Sequence, residues 1–319
     1  MLELSSWVFV FVLSLVFLVK SSDFFTDSAE NLGIYLGFPQ FIVGVTIVSI
    51  GTSLPELLSS VFALIDNSSE IILGNVVGSN IANIFLVLGT AAIISKRLSI
   101  TYDLINVDLP LFVGTGFFLG LSVWDLNFSK GEAILCLLAY GVYMFYTISI
   151  AQKEEQVRQE DPEQSTRSER VFPVKDLVIL ILSSIGLCLS AKYTIDSVVK
   201  ISELLNIAVE IIAVTAVALG TSLPELIVTI SIAKKGNPEM AIGNVLGSNI
   251  FNTFVVMGVP GLIGNVIIPE TILQQGLPLM LVGTILFVFA TQDKQVTKWE
   301  GFLFFIFYGW FIGQMFQFI

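Results

Sequence analysis

The heptapeptide Gly-Thr-Ser-Leu-Pro-Glu-Leu occurs twice in this chain, at 51–57 and at 220–226, an offset of 169 residues. Both copies lie within long apolar runs, so Glu56 and Glu225 are carboxylates in hydrophobic surroundings. A carboxylate at bilayer depth is costly and needs a protein partner or an ion. Thr52 and Ser53 stand four and three residues before Glu56, which on a helix makes their oxygens neighbours. Thr221 and Ser222 repeat the arrangement beside Glu225. Pro55 and Pro224 each remove an N–H and loosen carbonyls about one turn earlier, near Ile50–Gly51 and Leu219–Gly220. Hydroxyl, carboxylate and carbonyl oxygens are the ligand set of hard cations such as Na⁺ and Ca²⁺. The chain has no His, and Cys136 and Cys188 both sit in apolar runs, so a soft-metal site is disfavoured. One Ser/Thr pair alone would read as back-bonding to its helix. A pair repeated beside a buried Glu does not.

A second block follows at the same offset: GNVVGSNIANI from Gly74 and GNVLGSNIFNT from Gly243. Asn75, Ser79 and Asn83 are four apart and form one polar stripe on a helix, as do Asn244, Ser248 and Asn252. Gly74 with Gly78, and Gly243 with Gly247, are small-xxx-small pairs that let helices approach closely. These glycines, with Asn75, Asn80, Asn244 and Asn249, read as a tight packing seam. Ser79, Asn83, Ser248 and Asn252 read as completing a cation cage with the Thr, Ser and Glu of the first block. The cage carries a formal charge of -2 from Glu56 and Glu225. One Ca²⁺ would neutralise it, and several Na⁺ could share the same oxygens. Mutually exclusive loading suits an exchanger; simultaneous loading suits a symporter.

The elements that must position these residues are membrane spans. Of the 319 residues, 55% are hydrophobic and only 13% charged, about half the charge of a soluble domain. That composition excludes a soluble enzyme and a disordered chain, and the net charge of -11 argues against nucleic acid as a partner. Apolar stretches lie near 5–25, 40–65, 70–95, 107–125, 130–151, 174–195, 208–233, 239–264, 275–291 and 299–318. The run from Trp7 to Val19 lacks a basic start and a small-residue cleavage site, and reads as a retained span rather than a signal peptide. The expected fold is an all-α polytopic membrane protein of ten transmembrane helices. It divides into a first five-helix repeat (1–151), a cytoplasmic linker (152–173) and a second five-helix repeat (174–319).

Five spans separate equivalent positions, and five is odd, so the second copy enters the membrane from the opposite side. Such inverted repeats are common in secondary transporters, with the substrate site near the midplane. Assigning the fifteen Lys and Arg to alternating sides puts twelve on one face and Lys130, Lys192 and Lys200 on the other. The positive-inside bias then places the linker in the cytoplasm and both termini outside a cell (inner) membrane.

The paired GTSLPE and GNxxGSNIxN blocks, in a five-plus-five arrangement spanning the whole chain, resemble the α-repeats of the calcium/cation antiporter superfamily, with its prokaryotic sodium/calcium exchanger branch the nearest likeness. The resemblance implies Na⁺/Ca²⁺ antiport by alternating access. Four ion sites would form a diamond among the motif helices, and the first and sixth helices would slide across that core. It makes Glu56 and Glu225 the central Ca²⁺ ligands, with Thr52 and Thr221 adding oxygens. Ser53, Ser79, Ser222 and Ser248 would form the outer and inner Na⁺ sites, and the backbone carbonyls of Ser49 and Ala218 would contribute. Asn83 and Asn252 would border the middle site. Some members carry Asp where this chain has Asn252; its absence here argues against K⁺ co-transport and leaves the cage at -2. The proton-coupled branch typically lacks this serine-rich motif, which favours Na⁺ coupling.

The expected transport is Ca²⁺ export against inward Na⁺, the ions being substrates rather than cofactors. No cofactor, enzymatic activity or obligate protein partner is expected; the lipid bilayer is the other partner. The alternatives are a calcium/proton antiporter and a cation channel with Glu56 and Glu225 as a selectivity ring. An internal inverted repeat argues against the channel, whose pores are usually rotationally symmetric.

Overall fold

The computed structural model describes residues 2–65, 67–95, 97–104, 107–159, 173–204 and 222–315. The helices, in chain order, are α1 (Leu2–Leu36), α2 (Gln40–Ile65), α3 (Glu70–Ser95), α4 (Asp108–Ser122), α5 (Lys130–Gln159), α6 (Val174–Leu204), α7 (Leu223–Lys234), α8 (Pro238–Ile263), α9 (Ile272–Thr291) and α10 (Lys298–Met315). Four short strands lie between them: β1 (Arg97–Ser99), β2 (Asn127–Phe128), β3 (Val266–Ile267) and β4 (Gln295–Thr297). Among the described residues seven helices are long and apolar enough to cross a membrane: α1, α2, α3, α5, α6, α8 and α9. α4 is apolar but shorter. Most of the span expected at 208–233 precedes Ser222 and lies outside the described residues, as do Thr221 and Ala218.

Local chemistry sets the helix ends. Gly37 (φ 73°) and Gly236 (φ 82°) end α1 and α7 in the left-handed conformation that glycine adopts without penalty. Beyond each, the next N–H turns back onto the helix: Phe38 to the Gly33 carbonyl at 2.9 Å and Asn237 to the Ile232 carbonyl at 3.2 Å. Pro238 then opens α8, where a missing N–H is harmless.

The expected first span, 5–25, is a 35-residue helix. At 1.5 Å per residue it is about 52 Å long, well beyond the roughly 30 Å hydrocarbon core. The apolar run stops at Ser21-Ser22-Asp23, but the helix does not, because the polar residues beyond it meet protein. The Ser22 hydroxyl donates to the Ile227 carbonyl at 3.2 Å, and Ser231 donates to Asp23 at 2.9 Å. α5 likewise runs on to Gln159, into the segment read as linker.

α2, α3, α7 and α8 form the centre. At the crossing of α2 and α8 the backbones nearly touch: a Cβ on Gly243 would lie 2.3 Å from the Phe41 carbonyl oxygen, and one on Gly247 2.5 Å from that of Val45. α1 and α6 pack along one another across this core, with Gly186 against Ser21 and Thr194 donating to Ser14 at 2.9 Å. Large apolar side chains face outward, among them Phe17, Leu121, Phe145 and Ile306. That surface suits lipid rather than water.

The strands were not expected, since two or three residues carry no readable alternation. β1 pairs antiparallel with β4 (Leu98 opposite Val296), and β2 with β3 (Phe128 opposite Val266). The 169-residue offset carries β1 onto β3 and β2 onto β4, so the two clips are counterparts. π-helical turns beginning at Asn83 and Asn252 correspond in the same way.

Candidate cation site

The serine of each heptapeptide leaves helical geometry directly before the Leu-Pro-Glu that opens a helix segment. Ser53 (φ -88°, ψ 6°) separates Ser49–Thr52 from Leu54–Ile65 within α2, and Ser222 (φ -82°, ψ 2°) precedes α7 with nearly the same geometry. Pro55 and Pro224 sit two residues on, where they cannot support the preceding turn. Each break places its Glu in the first turn of the following helix segment, near the positive end of the helix dipole.

All the described cage residues are buried. Ser49, Thr52, Ser53, Glu56, Asn83, Ser248 and Asn252 are essentially inaccessible, as are Ser222, Glu225 and Ser79. The halves interlock here: the Ser53 hydroxyl crosses from α2 and donates to Glu225 Oε1 at 3.0 Å, and the Thr52 hydroxyl reaches Asn244 of α8 at 3.3 Å. The sequence grouped Thr52 and Ser53 with Glu56 on their own helix; the structure turns both toward the other copy, Ser53 to its carboxylate and Thr52 to its asparagine.

What remains unsatisfied is concentrated at the motifs. Both carboxylate oxygens of Glu56, Oε2 of Glu225, the hydroxyls of Ser222 and Ser248, and both amide atoms of Asn83 and Asn252 are buried without a hydrogen-bond partner among the described residues. Buried polar atoms are nearly always paired. Such a concentration of oxygens, with only two carboxylates, fits a hard cation held by few charges. Among the described residues no group of three or more His, Cys, Asp or Glu could hold a metal. A low ligand charge favours release over retention, as a transported substrate requires.

The Ser49 carbonyl is less free than expected. It accepts the Ser53 N–H at 3.0 Å and faces the Thr52 hydroxyl at 3.3 Å. Pro55 disturbs the carbonyl four residues before it, that of Gly51, and so leaves the Ser49 bond intact.

The seam asparagines bond as interhelical glue, and they do more. Asn80 donates to Thr253 at 3.0 Å and to the carbonyl of Asn249, its own counterpart, at 3.4 Å. Asn75 donates to Ser60 at 3.0 Å and to the Glu56 carbonyl at 3.2 Å. Asn244 donates to Thr229 at 2.9 Å and accepts from Thr52 at 3.3 Å. The sequence carried a signal for these contacts: a hydroxyl residue stands four positions after each motif Glu, Ser60 and Thr229.

A crevice of about 400 Å³ abuts the broken turn of α2, lined by Phe25, Thr46, Gly51, Met144, Leu180 and Ser184. The Phe25 ring from α1 occupies the space where a Gly51 Cβ would stand, 2.5 Å away. α1 is tied to α7 by Lys235, which donates to Asp27 at 2.7 Å and to the Asp23 carbonyl at 3.1 Å.

Known proteins resemble this chain in sequence and in fold. The profile of the sodium/calcium exchanger protein family matches residues 6–149 and again 175–317, one match in each half. The sodium/calcium exchanger MaX1 of Methanosarcina acetivorans is 36% identical, over 96% of this chain and 97% of its own. The inner membrane protein YrbG of Escherichia coli is 30% identical, over 79% of this chain and 78% of its own. A solved structure of the sodium-calcium exchanger NCX_Mj, soaked with Na⁺ and Sr²⁺, superposes with a TM-score of 0.81 at 29% identity, covering 96% of this chain and 97% of that one.

Proposed function

This chain belongs to the sodium/calcium exchanger family, and from that premise we propose how its Na⁺/Ca²⁺ exchange runs: inward Na⁺ drives Ca²⁺ out of the cytoplasm by alternating access. The fold is ten transmembrane helices in two inverted repeats of five, with both termini outside and the linker in the cytoplasm. The corresponding strand pairs, the corresponding π-turns and one family match in each half support the repeat. The Lys and Arg distribution supports the orientation.

The observation that carries the site is the cluster of buried, unpartnered oxygens on Glu56, Glu225, Ser222 and Ser248. Glu56 and Glu225 bind Ca²⁺ centrally, with Thr52 and Thr221 beside them. Ser53, Ser79, Ser222 and Ser248, with the carbonyls of Ser49 and Ala218, take Na⁺. Asn83 and Asn252 line the middle. Either load offsets the charge of -2. An empty cage keeps its full charge, which opposes sliding the apolar faces of α1 and α6 past it. Only a loaded protein switches sides, so the two fluxes stay coupled.

Glu56→Gln and Glu225→Gln, each tested in proteoliposomes, should abolish Na⁺-driven ⁴⁵Ca²⁺ flux. Wild-type flux in either variant sinks the assignment. Ca²⁺ flux that persists without opposing Na⁺ would favour a channel, and Ca²⁺-driven alkalinisation in Na⁺-free vesicles would favour proton exchange. The reversal potential measures the stoichiometry.

A further inference from the structure

We propose that Asn244 is a positioning residue of the exchange site: its Oδ1 accepts the hydrogen bond of the Thr52 hydroxyl, so that the Thr52 oxygen and the Ser49 carbonyl present lone pairs to the cation. The inference rests on the cage read above and assigns a task to a residue that the sequence left in the packing seam.

A threonine hydroxyl has one proton and two lone pairs. The Thr52 oxygen lies 3.3 Å from the Ser49 carbonyl and 3.3 Å from Asn244 Oδ1. Two acceptors therefore compete for one proton. Donation to Ser49 would fill a carbonyl that already accepts the Ser53 N–H at 3.0 Å. Asn244 is the acceptor of the two that the cage does not use. Donation there turns the lone pairs of Thr52 inward and clears the Ser49 carbonyl.

The amide can do this only in one orientation. A flipped Asn244 would present its NH₂ to Thr52 and consume a lone pair. The structure has the amide in that orientation, with Asn244 Nδ2 donating to Thr229 Oγ1 at 2.9 Å and both residues fully buried. Gly243 and Gly247, flanking Asn244, bring α8 close enough to α2 for the contact. In the other half Asn75 has the equivalent anchor on Ser60. The counterpart of Thr52 there, Thr221, lies outside the described residues, so the assignment is confined to Asn244.

The test is a double-mutant cycle on the full chain, read as Na⁺-driven ⁴⁵Ca²⁺ flux in proteoliposomes. One hydrogen bond to a ligand oxygen is worth about tenfold in affinity. Asn244→Ala should therefore raise the half-saturating Ca²⁺ concentration about tenfold and leave the maximal rate nearly unchanged. Thr52→Val removes the ligand oxygen itself and should raise half-saturation at least as far, and the double variant should be no worse than Thr52→Val within about twofold. Effects that multiply in the double variant would show that Asn244 acts through packing and overturn the proposal. So would an unchanged half-saturation, or a fall in maximal rate alone. If Asn244→Ala does not reconstitute, Thr229→Val removes only the tether. It should shift half-saturation in the same direction, and the shift should vanish in a Thr52→Val background; a shift that persists there overturns the proposal. Loss of Na⁺ dependence in the unaltered chain would sink the exchange-site reading itself, whereas multiplying effects sink only the role of Asn244.

Discussion

Glu56 and Glu225 occupy equivalent places in two identical heptapeptides, yet they are held differently. Ser53 donates to Glu225, whereas among the described residues Glu56 has no donor on either oxygen. Both must be ionised to hold a cation, so lowering the pH should reduce exchange by protonating them. Raising Ca²⁺ should move that inhibition to lower pH, because cation and proton compete for the same oxygens. Initial rates against pH at two Ca²⁺ concentrations check both statements; inhibition indifferent to Ca²⁺ would separate the titrating groups from the site. Asn83 and Asn252 do not titrate, so the middle of the cage adds no acid dependence of its own. Asn252→Asp would supply a third carboxylate and leave a Ca²⁺-loaded cage at -1. Its Ca²⁺ flux should be slower than that of the unaltered chain, and it should gain a new acid-sensitive phase.

Among the elements, the contact of α2 with α8 sets how closely the halves approach. Gly243→Ala or Gly247→Ala would drive a methyl into the backbone of Phe41 or Val45. Overpacking of this kind costs about 1–3 kcal/mol, which thermal unfolding in detergent would show as a lower Tm. Either glycine tolerating alanine without loss would mean that the helices separate readily. α1 is fastened to α7 by Lys235, through Asp27 and the carbonyl of Asp23. The Lys235–Asp27 pair is partly exposed, so it contributes little to stability. Its consequence lies in position: on the proposed topology it closes α1 against the core on the cytoplasmic side. Lys235→Ala should leave Tm nearly unchanged and lower the half-saturating Ca²⁺ on the cytoplasmic side relative to the outside. Sided flux from oriented vesicles measures it, and equal changes on both faces would refute it.

At the scale of the molecule, the two halves do not merely sit side by side. Ser53 of one completes Glu225 of the other, β1 pairs with β4 and β2 with β3 across the halves, and α1 packs on α6. Residues 1–151 and 174–319, co-expressed as separate chains, should therefore associate and restore Na⁺-driven Ca²⁺ flux. Neither should transport alone. Co-purification with recovered flux is the measurement; flux from a single half would contradict a shared cage.

Much of this was legible along the chain because its signals are local or periodic. Apolar length marks the spans, an identical heptapeptide marks the repeated sequence, and a carboxylate flanked by hydroxyls within a span marks the candidate cation site. The bounds 40–65 and 70–95 coincide with α2 and α3 for that reason. Other features follow from which faces meet, and composition does not encode that. α1 outruns its apolar stretch because Ser22 and Asp23 find partners on α7. The short strands exist because distant loops converge. Asn244 faces Thr52, a residue 192 positions away. The sequence alone named the candidate oxygens for a cation. Only the tertiary structure decided which of them its own protons already occupy, since a hydrogen bond depends on distance and direction between residues that the chain order keeps far apart.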